Sequence, residues 1–275
     1  HGAANDYVFI DARNIKKDWN QLAVEISDRN KGVGSDGIIL ALSSGQHDVK
    51  MRMFNADGSE GDMCGNGIRC FAAFAIKCGF VDKDKNPIFV ETKSGIKSVL
   101  PITTENIITA AKVNMGKPIF KPEEIPVNIN SKLERIVDYP LPVGLETFDI
   151  TCVSMGNPHA ISFISTPVDS VDLVEVGPLV ENHAFFPDRV NFEIVNVINK
   201  SYVKARVWER GSGITMACGT GACAIACAGI YKGILNQHIE VELPGGTLQI
   251  EWSGNDDDDV MMTGPVTEVF EGEWK

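Results

Sequence analysis

The chain lacks several features that would settle its class at once. No apolar stretch approaches the ~20 residues of a membrane-spanning helix, and no charged-then-apolar leader opens the sequence. Positive charge is scarce: 25 Lys and Arg against 37 Asp and Glu leave a net charge of −12. Phosphate backbones are met by clustered Lys and Arg, so this balance argues against a nucleic-acid partner. A single local Arg could still bind a small anion. No Cys-x2-Cys pair occurs, which removes the usual zinc spacing. The Gly-x4-Gly-Lys-Ser/Thr phosphate loop is absent too.

Hydrophobic residues make up 44% and charged residues 23% of the 275 residues. A chain of that length and composition buries its own core without staples. Its seven cysteines (64, 70, 78, 152, 218, 223 and 227) are an odd number. Free thiols in a reducing, cytoplasmic compartment are therefore expected. The run Asp256-Asp257-Asp258-Asp259 follows Gly254-Asn255 and reads as a solvated turn between strands rather than a metal site.

Short Val- and Ile-rich runs bounded by Gly, Pro, Asn and Asp recur along the chain and read as strands. Examples are 7–10, 37–40, 50–54, 88–92, 160–163, 192–197, 202–208 and 239–243. Clear helices are few. Two stand out, over about 67–79 and about 221–233, both rich in Ala, Cys and Ile and apolar nearly all round. A helix of that kind belongs in an interior. The expected class is α+β, with barrel-like units of short strands wrapped around a central apolar helix.

The two halves echo each other. Asp57-Gly58-Ser59 leads into Cys64-Gly65-Asn66-Gly67 and one apolar helix; Arg210-Gly211-Ser212 leads into Cys218-Gly219-Thr220-Gly221 and the other. Met115-Gly116-Lys117-Pro118 likewise echoes Met155-Gly156-Asn157-Pro158. This reads as a tandem duplication, with its boundary between Lys112 and Thr151. The expected division is an N-terminal lobe over 1–115, completed by C-terminal strands over about 262–275, and a C-terminal lobe over 116–261.

Each block sets a cysteine just before a Gly-x-Gly that opens a helix. Glycine permits positive φ and close approach of backbone to ligand. A helix start offers unpaired N–H groups and the positive end of a dipole, which suits a carboxylate. The same field should make the thiol more acidic than usual. One such loop could hold a merely structural cysteine, the reading assigned to Cys70, Cys78, Cys223 and Cys227. Two matched loops suggest more: thiols on opposite faces of a bound α-carbon, one removing a proton and the other returning one. A papain-like nucleophile, with His159 as its base, would leave the second loop without a role.

Several strings together resemble diaminopimelate epimerase. They are Phe54-Asn55-Ala56-Asp57-Gly58-Ser59-Glu60, Met63-Cys64-Gly65-Asn66-Gly67-Ile68-Arg69-Cys70-Phe71, Ser154-Met155-Gly156-Asn157-Pro158-His159, and Trp208-Glu209-Arg210-Gly211-Ser212-Gly213 with Ala217-Cys218-Gly219-Thr220-Gly221-Ala222. The stretches His1-Gly2-Ala3-Ala4-Asn5-Asp6-Tyr7 and Arg189-Val190-Asn191-Phe192 add to the resemblance, which runs nearly end to end. It implies two pseudo-symmetric barrels with the active site in the cleft between them. It implies interconversion of LL- and meso-2,6-diaminopimelate, in lysine and peptidoglycan-precursor synthesis, with no pyridoxal phosphate and no metal. In the family's convention Cys64 is the proton donor and Cys218 the acceptor, and the labels swap with direction.

Residue by residue, the resemblance implies that Gly65, Asn66, Gly219 and Thr220 bind the reacting carboxylate. Asn5, Asn55, Asn157 and Asn191 hydrogen-bond the substrate. Arg210 pairs with the distal carboxylate, Glu209 accepts from an ammonium group, and His159 and Glu209 tune the cysteines. Each has a plainer reading: a turn residue for Asn55, Asn157 and Asn191, surface charges for Glu209 and Arg210, a structural histidine for His159. Two positions depart from the family pattern. Gly37 stands where Gln is frequent, and Ala4 replaces a second Gly. The expected partner is a small-molecule substrate, with no nucleic acid and no membrane; a homodimer is left open. The competing readings are a racemase or isomerase of the same fold and a binding protein that has lost the chemistry, the latter at odds with two intact cysteines.

Overall fold

The computed structural model describes residues 1–129 and 133–274. It divides into two compact units, His1–Asn114 with Thr263–Lys275, and Met115–Met262.

In the first unit β1 (Val8–Asp11) runs parallel to β2 (Gly37–Leu42). The connection is α1 (Trp19–Ser27), whose Asp18 cap accepts from the Gln21 N–H at 3.1 Å. β2 pairs antiparallel with β3 (Val49–Asn55), and the short β4 (Glu60–Gly61) folds back on β3. Then come α2 (Gly65–Lys77), β5 (Ile88–Thr92) parallel to β3, β6 (Gly95–Thr104) antiparallel to β5, and β7 (Ile107–Gly116) antiparallel to β6.

The second unit opens with β8 (Tyr139–Val143) and β9 (Glu146–Ser154), an antiparallel pair joined by β10 (Pro158–Phe163). From β10 the earlier order returns. β10 runs parallel to β11 (Asn191–Asn199), with α3 (Leu173–Glu181) between them. β11 pairs antiparallel with β12 (Tyr202–Glu209), on which β13 (Gly213–Ile214) folds back. α4 (Gly219–Tyr231) follows, then β14 (His238–Leu243) parallel to β12 and β15 (Gly246–Glu251) antiparallel to β14. The chain re-enters the first unit within β16 (Val260–Pro265), and beyond it the Val266 N–H donates to Thr109 O of β7 at 2.9 Å.

The run β1-α1-β2-β3-β4-α2-β5-β6 is thus matched, sense for sense, by β10-α3-β11-β12-β13-α4-β14-β15. Register makes the match residue-specific. Ile38 lies between Val8 and Phe54, as Phe192 lies between Ala160 and Trp208. Stepping along each strand from that anchor, Asn5 corresponds to Asn157, Tyr7 to His159, Gly37 to Asn191, Ile39 to Glu193 and Asn55 to Glu209.

The class is α+β, and the eight strands read from the sequence all form. Both apolar helices begin two residues earlier than their sequence pattern indicated, at Gly65 and Gly219, because the preceding cysteine is itself the N-cap. α4 is the interior helix expected, buried from Gly221 through Gly229 and packed against β9, β10, β11, β14 and β15. α2 is less enclosed: its first turns are buried, while Phe74, Ile76 and Lys77 reach the surface. α1 and α3 have no counterpart in the sequence reading. α1 buries only Leu22, Ala23, Ile26 and Ser27, and α3 carries Gly177 and Pro178, two helix-disfavouring residues. Gly177 is needed where it stands, since a Cβ there would lie 2.4 Å from the Trp208 ring. The aspartates 256–259 lie exposed between β15 and β16, as a turn.

Ile225 of α4 is fully buried, whereas Ile107 at the start of β7 is 67% exposed. Ile225→Ala should lower unfolding free energy by about 2–5 kcal/mol through lost burial and a residual cavity. Ile107→Ala should change it by no more than about 0.5 kcal/mol. Urea unfolding midpoints that shift equally for the two variants would contradict this placement of the core.

Candidate active site

In the first unit Cys64 caps α2. Its Sγ accepts from the Gly67 N–H at 3.3 Å and donates to Asn5 Oδ1 at 3.1 Å. Asn5 is fixed in turn, its Nδ2 donating to Asp36 Oδ2 at 2.6 Å. Asp36 and Asp6 share the exposed Arg29 guanidinium, at 3.0 and 2.8 Å. Tyr7 lies beside the thiol, and its phenol is pushed well above its ordinary value, first by burial and then by Cys64. Gly65 and Asn66 are buried in the first turn of α2. Asn55 ends β3, with its Nδ2 donating to Ser59 Oγ at 3.0 Å, a turn-type bond within its own loop. A side chain at Gly37 is excluded on space alone, because a Cβ would sit 2.1 Å from Phe54 O.

In the second unit Cys218 caps α4 in the same way. Its Sγ accepts from the Gly221 N–H at 3.4 Å and lies 3.5 Å from Thr220 Oγ1. None of the four glycines at the two helix starts has positive φ. Their second expected use, close approach, is the one realised. A Cβ at Gly67 would meet Ile39 Cδ1 at 2.6 Å, and one at Gly221 would meet Glu193 Oε1 at 2.7 Å.

The surroundings of Cys218 are acidic. Glu209 ends β12 beside the thiol and accepts from Thr215 Oγ1. Burial raises its carboxyl above the ordinary value, so it is no simple surface charge. Cys218 itself is pushed well up, first by burial and then by Glu209 and Glu193. This reverses the sequence expectation of an acidic thiol at this helix start. The Gly221 N–H and Thr220 do pull the value down, but burial and two carboxylates outweigh them. Cys218 is held as a thiol.

His159 is fully buried on β10. Its Nε2 lies 3.0 Å from Asn157 Oδ1 and its Nδ1 2.6 Å from Glu193 Oε1. Asn191 opens β11 beside it, donating from Nδ2 to Pro158 O at 2.8 Å and accepting the Arg210 N–H on Oδ1 at 2.9 Å. That second bond holds the Arg210 backbone, while the guanidinium reaches Asp188 O through Nη1 at 3.0 Å. The turn after Arg210 needs glycine, with φ of +79° at Gly211 and +78° at Gly213.

His159, Asn157, Asn191, Glu209, Arg210, Cys218, Gly219 and Thr220 therefore gather in the second unit, and Asn5, Asn55, Cys64, Gly65 and Asn66 belong to the first. Two carboxylates were missed by sequence reading. Glu181, buried at the end of α3, accepts from Trp208 Nε1 at 2.7 Å, the Gly211 N–H at 2.8 Å and Arg189 Nη1 at 3.0 Å. It clamps both ends of the Glu209–Arg210 turn. Glu193, the other, sits in a β11 run whose alternation disguises it as an outward-facing charge. Among the described residues no group of three or more His, Cys, Asp or Glu is placed to hold a metal ion, and no helix is long and apolar enough to cross a membrane.

The sequence pattern of the family described as Diaminopimelate epimerase matches residues 1–121 and 151–269. A diaminopimelate epimerase from Methanococcus maripaludis is 48% identical, covering 99% of this chain and 97% of its own length. One from Acetivibrio thermocellus is 46% identical, covering 99% of this chain and 96% of its own length. Among solved structures, a PhzF-family phenazine biosynthesis protein from Bacillus anthracis superposes with a TM-score of 0.64 at 19% identity, over 96% of this chain and 92% of that one. A hydroxyproline epimerase from Agrobacterium vitis gives 0.63 at 12% identity, over 96% and 86%. At those identities the structural likeness speaks for the fold alone.

Glu181→Ala would remove the acceptor shared by the part-buried Trp208 Nε1–H and the Gly211 N–H. Water can reach the exposed Gly211 amide, so the expected loss is about 0.5–1.5 kcal/mol per hydrogen bond, with faster hydrogen exchange at that amide. Unchanged protection at Gly211 would show that Glu181 does not hold this turn.

Proposed function

The chain belongs to the diaminopimelate epimerase family, and from that premise we propose that it inverts one α-carbon of its substrate with two thiols, Cys64 and Cys218. It interconverts LL- and meso-2,6-diaminopimelate, a step in lysine and peptidoglycan-precursor synthesis. The observation that carries the two-thiol reading is the matched capping: each Sγ accepts from the third N–H of a buried helix, at 3.3 Å for Cys64 and 3.4 Å for Cys218. In a duplicated unit, two identical devices of this kind suit a reaction that treats the two faces of one carbon alike.

In one direction a thiolate takes the α-proton and the opposite thiol supplies its proton to the other face. Negative charge builds on the substrate carboxylate as the carbon flattens. The N–H groups of Gly65 and Asn66 on one side, and of Gly219 and Thr220 on the other, are suited to stabilise it. Cys218 starts as a thiol, so it must first release its proton to act as a base. Glu209, beside it, is the acceptor at hand, with His159 close enough to offset the carboxylate's charge. Arg210 pairs with the distal carboxylate, for which a planar two-pronged donor is suited. Asn5, Asn55, Asn157 and Asn191 orient the amino-acid groups. The chemistry runs on the protein's own acids and bases and calls for no electron-sink cofactor.

Incubation with LL-diaminopimelate in deuterated water, without added pyridoxal phosphate, should give meso product carrying deuterium at the inverted α-carbon. If reduced, folded protein incorporates none, the epimerase reading fails. Cys64→Ala and Cys218→Ala should each remove epimerisation, with a loss of at least about 10²-fold expected for a group that transfers a proton in the transition state. Full activity in either variant would leave the two-thiol mechanism untenable.

A further inference from the structure

Glu193 has a place in the second unit that the fold does not require. The corresponding position of the first unit is Ile39, whose Cδ1 lies 2.6 Å from where a Gly67 Cβ would be; Glu193 Oε1 lies 2.7 Å from where a Gly221 Cβ would be. The same interior slot, over the third residue of a cysteine-capped helix, thus takes a hydrocarbon in one unit and a carboxyl in the other. Both side chains are fully buried. The carboxyl is not there for stability alone, because its Oε2 is buried with no hydrogen-bond partner, an arrangement that costs stability.

What Glu193 gains is the histidine. Its Oε1 lies 2.6 Å from His159 Nδ1, and the far nitrogen of that ring lies 3.0 Å from Asn157 Oδ1. The first unit puts Tyr7 where the second puts His159, so histidine and carboxyl differ from their twins together. We propose that Glu193 is a positioning residue for the reaction at Cys218, holding the His159 imidazole by Nδ1 so that Nε2 faces Asn157. The logic is that of a base oriented by a third group, and the proposal rests on the epimerase reading above. Gly221 leaves room for the carboxyl beside the thiol: the missing Cβ would be 3.3 Å from Cys218 Sγ. The ionisable groups around Glu193 are His159 from β10, Glu209 from β12, Cys218 at the start of α4 and the buried Cys152 of β9. Its charge, after burial and Glu209, helps hold the Cys218 thiol protonated.

Two variants test this. Glu193→Gln keeps the shape and removes the charge; Glu193→Ile installs the residue that the first unit already accommodates. Both should fold, checked by urea unfolding, and both should lose about 10²-fold in kcat, the lower end for a positioned proton-transfer group, with KM little changed. Iodoacetamide labelling of Cys218 should move to lower pH in Glu193→Gln, since removing a neighbouring negative charge favours the thiolate. In ¹⁵N-histidine-labelled protein, the His159 Nδ1–H signal should shift in Glu193→Gln, whose amide oxygen is the weaker acceptor, and be lost in Glu193→Ile. Wild-type kcat in either folded variant, or an unmoved Cys218 labelling profile in Glu193→Gln, would overturn the proposal. If wild-type protein itself incorporates no deuterium, the epimerase reading fails, and the labelling profile alone decides whether Glu193 acts on Cys218.

Discussion

The structure depends on one interaction made in duplicate, a cysteine sulfur capping the start of a buried helix. A helix start leaves N–H groups without partners, and an interior helix cannot rely on water to satisfy them. Serine or aspartate is the usual remedy. Here the cap is a sulfur that accepts from the third N–H of each helix. Stability and chemistry share this atom. The cap seats the thiol, and the first turn that it caps is the one suited to a carboxylate.

The interior position of the helices follows from the same device. A helix that starts with Gly-x-Gly can be approached closely at its first turn, and that turn is where Ile39 and Glu193 pack. Larger residues at 67 or 221 would push these side chains away and tilt the helix off its cap. The glycines therefore act through lack of volume, not through unusual backbone angles. The sequence reading weighed both uses, and only packing distances distinguish them.

The strands, the two helices and the cysteine just before each could be read in the sequence because each rests on local pattern: period-two apolar runs, all-apolar helical stretches and a repeated Cys-Gly-x-Gly. The helices α1 and α3 escaped because one is short and the other contains Gly177 and Pro178, whose cost is offset by packing against Trp208. Glu181 and Glu193 escaped for another reason. Nothing local to either separates a buried acceptor from a solvated charge. Their partners, Trp208 and Gly211 for one and His159 for the other, come from distant strands and turns. The raised Cys218 thiol has the same origin, since the opposing carboxylates arrive from β11 and β12.

The duplication also explains how two like thiols can differ in chemical state. Both keep the cap, but their neighbours have diverged. Cys64 donates to an amide oxygen, Asn5 Oδ1, and has the Tyr7 phenol beside it. Cys218 has Glu209 and Glu193 around it, with His159 against Glu193. A two-base reaction needs one thiol charged and the other protonated at the outset, and two identical environments would give neither thiol a preference. The carboxylates around Cys218, which push its thiol up, supply a preference. For a reversible reaction the preference must also be small enough to invert as the proton crosses the carbon. A histidine that can offset the charge of either neighbouring carboxylate is suited to that, which is why the orientation of its ring matters more to the chemistry than to the fold.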